Sequence, residues 1–146
     1  MNKSEKLFLD GVTLFKDQLL WDAIEAFEDS IANGLKESLI DDCYLNIAIC
    51  YMQLNLFKEA EGFFKKVLLV AESGNDHVDT EGLISGKTSS RAILGLIRIN
   101  IADNDIEKAR ENLMALEEDE QSHMTVDGKT KTLHEVAKEE IENFKS

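Results

Sequence analysis

Apolar side chains recur at three- and four-residue spacing in two neighbouring segments near the middle of the chain. A short turn at Leu54-Asn55-Leu56 separates the two sets, which are Tyr44, Ile47, Ala48 and Tyr51, then Ala60, Phe63, Phe64, Val67 and Leu68. An α-helix turns every 3.6 residues, so each set lies on one helical face. Neither helix buries its stripe alone, and the pattern therefore predicts two helices that pack against each other and against neighbours.

The same order of residues occurs before this pair and, in a weaker form, after it. The three units are Leu7-x2-Asp10-Gly11-x2-Leu14 then Ala23-x3-Phe27, Tyr44-x2-Ile47-Ala48-x2-Tyr51 then Ala60-x3-Phe64, and Ile93-x2-Leu96-Ile97-x2-Asn100 then Ala109-x3-Leu113. In the third unit Ile97 replaces the small residue. The order resembles the tetratricopeptide repeat, a helix-turn-helix unit of about 34 residues.

The resemblance implies an all-α fold, a right-handed superhelical array of three helical hairpins with a C-terminal capping helix. Ala60 lies 37 residues after Ala23, but Ala109 lies 49 residues after Ala60, so the second gap requires an inserted loop. We expect a single domain over residues 1–146, with repeats at about 4–37, 41–73 and 88–120, a loop at 73–87 and the capping helix at about 132–145.

Polar residues indicate where several helices begin. Ser4, Ser38 and Asp105 are the expected N-caps of the first, third and sixth helices. Asp127-Gly128 is a hairpin-type turn signal, although an isolated two-stranded hairpin would be marginal. Thr132-x-x-Glu135 resembles a capping box that starts the last helix, which we expect to seal the open end of the array.

The resemblance also implies that the first helix of each repeat lines a concave groove. The projected lining is Phe8, Val12, Phe15, Leu45, Asn46, Ile49, Met52, Arg91, Leu94, Arg98 and Ile101. An amphipathic helix or an extended peptide would bind such a mostly apolar surface, with an acidic group on Arg91 or Arg98. The alternative, weighed equally, is that Phe8, Leu45 and Leu94 are ordinary core residues.

Some members of this family clamp the C-terminal carboxylate of chaperone tails with Lys and Asn side chains from three repeats. Asn46 and Arg91 stand at matching positions, but Phe8 and Val12 stand where a Lys and an Asn are expected. Chaperone-tail binding is therefore not predicted.

The net charge of −13 and the pI of about 4.6 disfavour binding to nucleic acid. They leave two alternatives to a groove-binding adaptor. One is a small acidic chaperone or immunity-type protein that masks a basic or aggregation-prone partner, and the other is a self-assembling scaffold subunit such as a homodimer. Membrane binding is not expected, because no apolar run reaches about 18 residues. With no visible signal peptide, the expected location is the cytoplasm.

No residue pattern predicts an enzyme, a cofactor or a metal site. Cys43 and Cys50 would lie roughly 10 Å apart on one helix, too far for a disulfide, which tolerates about 7 Å, and both are expected to be buried. His123 and His134 show no triad-like spacing. A phosphate-loop resemblance at Gly82-x3-Gly86-Lys87-Thr88 has one residue too few between its glycines.

Two further features have a structural and a functional interpretation. The polar residues Asn75, Asp76, His77, Asp79 and Glu81 could supply ion ligands, but their spacing fails the calcium-loop pattern and a solvated loop is favoured. Trp21 could mark an interaction surface, but packing into the first repeat is favoured.

Overall fold

The computed structural model describes residues 1–79 and 84–145. Its contacts form two compact units, Met1–Asn75 and Asp76–Ser146, and the single domain expected from the sequence stays a prediction. Each unit has its own hydrophobic core.

Unit 1 contains four helices in two hairpins. They are α1 (Lys3–Lys16), α2 (Leu20–Ala32), α3 (Glu37–Gln53) and α4 (Phe57–Glu72). Helix α1 packs on α2 and α3 packs on α4, while α2 also packs on α3. Buried apolar residues from α1, α2 and α3 form a shared core, including Phe8, Ala23, Ile24, Phe27, Ile47 and Cys50. The helices of unit 1 therefore pack against one another, as the sequence pattern predicted.

Unit 2 combines three helices with four short strands. In chain order they are β1 (Val78–Asp79), β2 (Ile84–Lys87), α5 (Thr88–Ala102), α6 (Ile106–Met114), β3 (His123–Val126), β4 (Lys129–Thr132) and α7 (Leu133–Lys145). Helix α7 packs on both α5 and α6. Leu133, Ala137 and Ile141 of α7 share a core with Leu94 and Ile97 of α5. The last helix therefore covers the third hairpin.

A four-stranded antiparallel sheet in the order β1-β2-β3-β4 is an addition to the predicted fold. Two of its strands lie in the 73–87 segment, which the sequence predicted to be a loop. The β3–β4 hairpin turns at Asp127 and Gly128, whose φ angles of 51° and 78° suit a tight hairpin turn. It is not isolated, because β2 pairs with β3 along Ile84–Met124 and Ser85–His123. This third strand supplies the support that a lone hairpin lacks.

The same turn joins the two helices of all three hairpins. Gln18, Asn55 and Asn104 each adopt a left-handed conformation, with φ of 62°, 62° and 63°. In each case the next N–H bonds a carbonyl five residues earlier, in the pairs Leu19–Leu14, Leu56–Tyr51 and Asp105–Asn100. This is the Schellman arrangement that satisfies the last carbonyls of a helix. The third hairpin is therefore a geometric repeat of the first two, although its sequence match is weaker.

Two of the predicted N-caps are wrong by about two residues. Asn2, rather than Ser4, caps α1 by accepting the Glu5 N–H at 2.9 Å, and Ser4 donates its hydroxyl to Asn2. Lys36 precedes α3, so Ser38 lies inside the helix. The predicted cap at Asp105 is confirmed by its bond from the Lys108 N–H.

The capping box at the start of α7 is partly formed. The Thr132 hydroxyl accepts the Glu135 N–H at 3.1 Å and donates to the Glu135 carboxylate at 3.2 Å. The last helix therefore begins where the sequence predicted it.

Candidate protein-binding site

The unit 1 part of the predicted groove lies on α1 and α3, the first helices of its two hairpins. Val12 and Phe15 are half-buried and pack against the unit 1 core. Asn46, Ile49 and Met52 follow one another at three-residue spacing on α3 and are also half-buried. Helices α1 and α3 are in contact, so these side chains belong to neighbouring helices of one unit. They form what we call the α1–α3 face.

Three of the predicted lining residues are core residues. Phe8, Leu45 and Leu94 are only 9%, 1% and 2% exposed. The Phe8 ring lies 5.8 Å from the Phe27 ring, measured between centroids, so it joins the two helices of the first hairpin. These three positions support the helices rather than offering surface to a partner.

The unit 2 part of the prediction includes two arginines, and both have acidic partners within that unit. Arg91 lies 3.5 Å from the Asp79 carboxylate, and its side chain is 17% exposed. Arg98 makes a bidentate pair with Glu140 of α7, with both N–O distances at 2.9 Å. A carboxylate from another protein would have to displace these partners.

A cavity of about 520 Å³ lies between α5 and α7 of unit 2. It is lined by Arg98, Ile101, Ala102, Glu140, Asn143 and Phe144. Two predicted groove residues, Arg98 and Ile101, therefore border a space that the C-terminal helix also lines. Helix α7 therefore lies against α5, the helix predicted to line the groove in this unit, and its role as a seal stays a prediction.

The two cysteines are buried free thiols, as predicted. Burial raises the pKa of the Cys43 thiol to about 11, although its bond with the Ser30 hydroxyl opposes the shift, and nearby Asp42 and Glu28 add to it. Burial raises the pKa of Cys50 to about 12. The thiolate is the reactive form, so neither residue has the properties of a nucleophile at neutral pH.

His123 has a hydroxyl partner that the sequence did not indicate. Its Nδ1 lies 2.8 Å from the Ser85 hydroxyl, because β2 and β3 place these residues opposite each other. Ser85 and His123 are therefore a pair of neighbours across two strands. A dyad for nucleophilic catalysis would also need a group that orients the histidine and donors for an oxyanion.

Asp76 and His77, in the polar segment before α5, are bonded to the start of that helix. The Asp76 carboxylate accepts the Ser89 N–H at 3.0 Å and the Ser89 hydroxyl at 2.6 Å, so it caps α5 from a distance. The His77 carbonyl accepts both the N–H and the hydroxyl of Thr88. No group of three metal-ligating side chains occurs within residues 1–79 and 84–145. Glu81 of the proposed ligand set lies outside the described residues.

The residues that resemble a phosphate loop belong to a strand and a helix start. Gly86 is in β2 with φ of 117°, and a Cβ there would overlap Ser122. The Lys87 N–H donates to the Ser122 hydroxyl at 2.9 Å. The backbone of Gly86 and Lys87 therefore takes part in the sheet and does not form a phosphate site. Gly82, the first glycine of the motif, lies outside the described residues.

Trp21 is placed differently from the favoured prediction. It is 59% exposed, and its ring meets Tyr51 of the second hairpin edge-on, with centroids 6.2 Å apart. It therefore lies on the surface between hairpins and is not packed into the first repeat. Trp21 lies beside the turn at Leu19, and nothing in the sequence there distinguishes an exposed ring from one packed into the first repeat.

Comparison of the whole chain with solved structures decides the fold. A structure titled Arabidopsis OM64 TPR domain matches with a TM-score of 0.65 and 16% identity, covering 97% of this chain and 95% of that one. The chain has a tetratricopeptide-repeat (TPR) fold. This confirms the resemblance found in the sequence and the helical-repeat class that it implied.

A second structural match to the TPR fold of this chain comes from a larger protein. It is the Hsp90 co-chaperone Cns1 from Saccharomyces cerevisiae, with a TM-score of 0.72 and 15% identity. The match covers 97% of this chain and 39% of the Cns1 chain, so the chain spans about two fifths of that length. No protein-family model and no curated protein matches the sequence.

No helix within residues 1–79 and 84–145 is both long enough and apolar enough to cross a membrane.

Proposed function

We propose that the protein is a non-catalytic module that binds a peptide or helix of another protein. The proposal is supported by the TPR fold, since repeat folds of this kind expose extended concave surfaces for binding. It rests on fold-level analogy joined to one local observation, the half-buried apolar side chains of the α1–α3 face. The partner is another protein, and cytoplasmic location remains part of the proposal.

The α1–α3 face is the observation that carries the proposal. Ile49 and Met52 are apolar yet only partly covered, and Asn46 lies one turn earlier on the same helix. An apolar anchor of a partner would bury Ile49 and Met52, while the Asn46 amide would bond a partner backbone group. Val12 and Phe15 on α1 would extend this contact.

The arginine contact is the weaker part of the proposal. Arg91 and Arg98 are already paired with Asp79 and Glu140. Both pairs are partly exposed, so exchanging an internal carboxylate for a partner's carboxylate would change the energy little. We therefore propose that the apolar contacts supply the affinity and that any arginine contact sets the orientation of the bound partner.

Chaperone-tail binding is not part of the proposal, although one structural match is titled an Hsp90 co-chaperone. That activity belongs to the protein so named. In this chain a clamp of Lys and Asn side chains would require polar groups at Phe8 and Val12. Phe8 is instead part of the core.

Affinity capture from native lysate tests the proposal with a matched pair of variants. Ile49→Glu places a charge on the α1–α3 face, and Leu69→Glu places the same charge on α4, where Leu69 is 66% exposed. We expect wild type and Leu69→Glu to retain the same protein and Ile49→Glu to lose it. Circular dichroism checks that each variant is folded. Equal retention by folded Ile49→Glu would contradict the proposal.

A further inference from the structure

A row of aromatic rings crosses the surface of unit 1. Trp21 of α2 meets Tyr51 of α3 edge-on, and Tyr51 stacks on Phe63 of α4 with centroids 5.7 Å apart. Tyr44 follows, with its ring 6.0 Å from that of Phe63. The row joins the first hairpin to the second and ends at the exposed indole of Trp21.

The other end of the row already holds a cation. The Lys66 ammonium lies 4.5 Å from the centre of the Phe63 ring and 5.5 Å from that of Tyr44. Both distances are within the range of cation–π attraction, which is strongest for tryptophan. Among the described residues, no cation lies over Trp21. The best ring of the row is therefore the one that the chain itself leaves uncovered.

The helix that carries Trp21 is acidic. Helix α2 carries Asp22, Glu25, Glu28 and Asp29 and has no lysine or arginine. Glu25 and Glu28 lie one and two turns after Trp21, on the same helical face, and both are exposed. The negative charges of Glu28 and Glu59 also act on Tyr51, whose pKa burial and these charges raise.

We propose that Trp21, Tyr51, Glu25, Glu28 and Glu59, the Trp21 patch, bind an arginine- or lysine-bearing segment of a partner protein. The cationic group would lie over the indole, as Lys66 lies over Phe63, and the neighbouring carboxylates would neutralise its charge. An exposed tryptophan with acidic neighbours has the chemistry to select a basic segment over a neutral or acidic one. This surface is separate from the α1–α3 face and does not depend on the proposed function there.

The single tryptophan makes the patch directly observable. Trp21 is the sole tryptophan of the sequence, so intrinsic fluorescence reports on this site alone. The probe is an acetylated, amidated tetra-arginine peptide, titrated at about 100 mM salt. The control probe is the tetra-citrulline peptide, which keeps the shape and lacks the charge. We expect a saturable change in Trp21 emission with arginine and no change with citrulline.

A matched pair of double variants separates the patch from the general acidity of the protein. Glu25→Gln with Glu28→Gln removes two charges beside Trp21, and Glu107→Gln with Glu111→Gln removes two exposed charges from α6 in unit 2. We expect the first pair to weaken tetra-arginine binding by about threefold or more. The second pair should leave it within about twofold of wild type.

Two outcomes would overturn the proposal. One is the absence of a saturable emission change with tetra-arginine. The other is an equal loss of affinity in both double variants, which would show diffuse attraction to an acidic protein. Ile49→Glu should leave tetra-arginine binding unchanged, so failure of the patch and failure of the α1–α3 face are separate results.

Discussion

Gly11 determines how closely the first two helices approach each other. A Cβ at this position would lie 2.7 Å from carbons of the Phe27 ring, which is completely buried. The ring is held by the unit 1 core and also touches Phe8, so it has little room to move. Close packing therefore requires glycine at this position, whereas the helical backbone conformation alone does not.

Gly11→Ala should destabilise unit 1 by about 1–2 kcal/mol. Overpacking of a core costs roughly 1–3 kcal/mol, and the better helix propensity of alanine returns only about 0.5–1 kcal/mol. Urea denaturation followed by circular dichroism measures the difference.

Gly62 supplies the control for this prediction. It is also helical, but it is exposed and a Cβ there meets nothing within 4 Å. Gly62→Ala should stabilise the protein by about 0.5–1 kcal/mol. If the two alanine variants change stability in the same direction, the packing role of Gly11 is wrong.

Asp119 connects several elements of unit 2. Its carboxylate accepts the Ser90 hydroxyl from α5 and the backbone N–H groups of Gln121 and Ser122, at 3.0 Å and 3.2 Å. Ser122 in turn accepts the Lys87 N–H from β2, and its carbonyl accepts the Leu133 N–H at the start of α7. One carboxylate thus organises the connection between a helix, the sheet and the C-terminal helix.

Asp119→Asn should lower stability at pH 7 by about 1 kcal/mol, because it weakens charge-assisted bonds. Burial would raise the pKa of Asp119, but the bonds from Ser122, Ser90 and Gln121 outweigh it and lower this pKa. The stabilisation is therefore present above the ordinary carboxyl pKa of about 3.9 and is lost as pH falls through the lower folded value.

Thermal unfolding from pH 7 to pH 3 measures this dependence. Wild type should lose its advantage over Asp119→Asn as the pH falls below about 4. Glu120→Gln, which neutralises an exposed carboxylate in the same connection, should show a small difference at every pH. A constant gap between wild type and Asp119→Asn down to pH 3 would contradict the role of the charge.

The helices were predictable from the sequence because their signal is local. Periodic apolar residues and the buried alanines at positions 23, 60 and 109 mark each hairpin within about thirty residues. The strands were not, because their pairing joins distant residues. Ser85 and His123 are 38 positions apart, and β1 and β2 are too short to show alternation. Without β2, the Asp127-Gly128 hairpin had no visible support.

The binding surface was predictable only in part, for a related reason. Helical periodicity shows which side chains share a face, but it does not show which of two faces is covered. Phe8 and Ile49 both belong to helical patterns of apolar residues. Phe8 is nevertheless buried against Phe27, whereas Ile49 is half-exposed. The exposure of Trp21 depends on the position of the second hairpin, and a local sequence pattern does not predict that position.

At the scale of the whole molecule, the chain carries a net charge of −13 and has a TPR fold in two compact units. Both of its cysteine thiols are buried. Two of its surfaces carry our proposals, namely the half-buried apolar side chains of the α1–α3 face and the Trp21 patch, whose residues lie on α2, α3 and α4. We propose that both surfaces bind other proteins, and binding at the α1–α3 face is the central proposal.

Site-specific photo-crosslinking tests that proposal most directly. A photoreactive amino acid is placed at Ile49 on the α1–α3 face or, as a control, at the exposed Leu69 on α4, and the protein is irradiated in native cells. We predict a distinct adduct with a partner protein from position 49 and none from position 69. The same adducts from both positions, or an adduct from position 69 alone, would contradict the proposal.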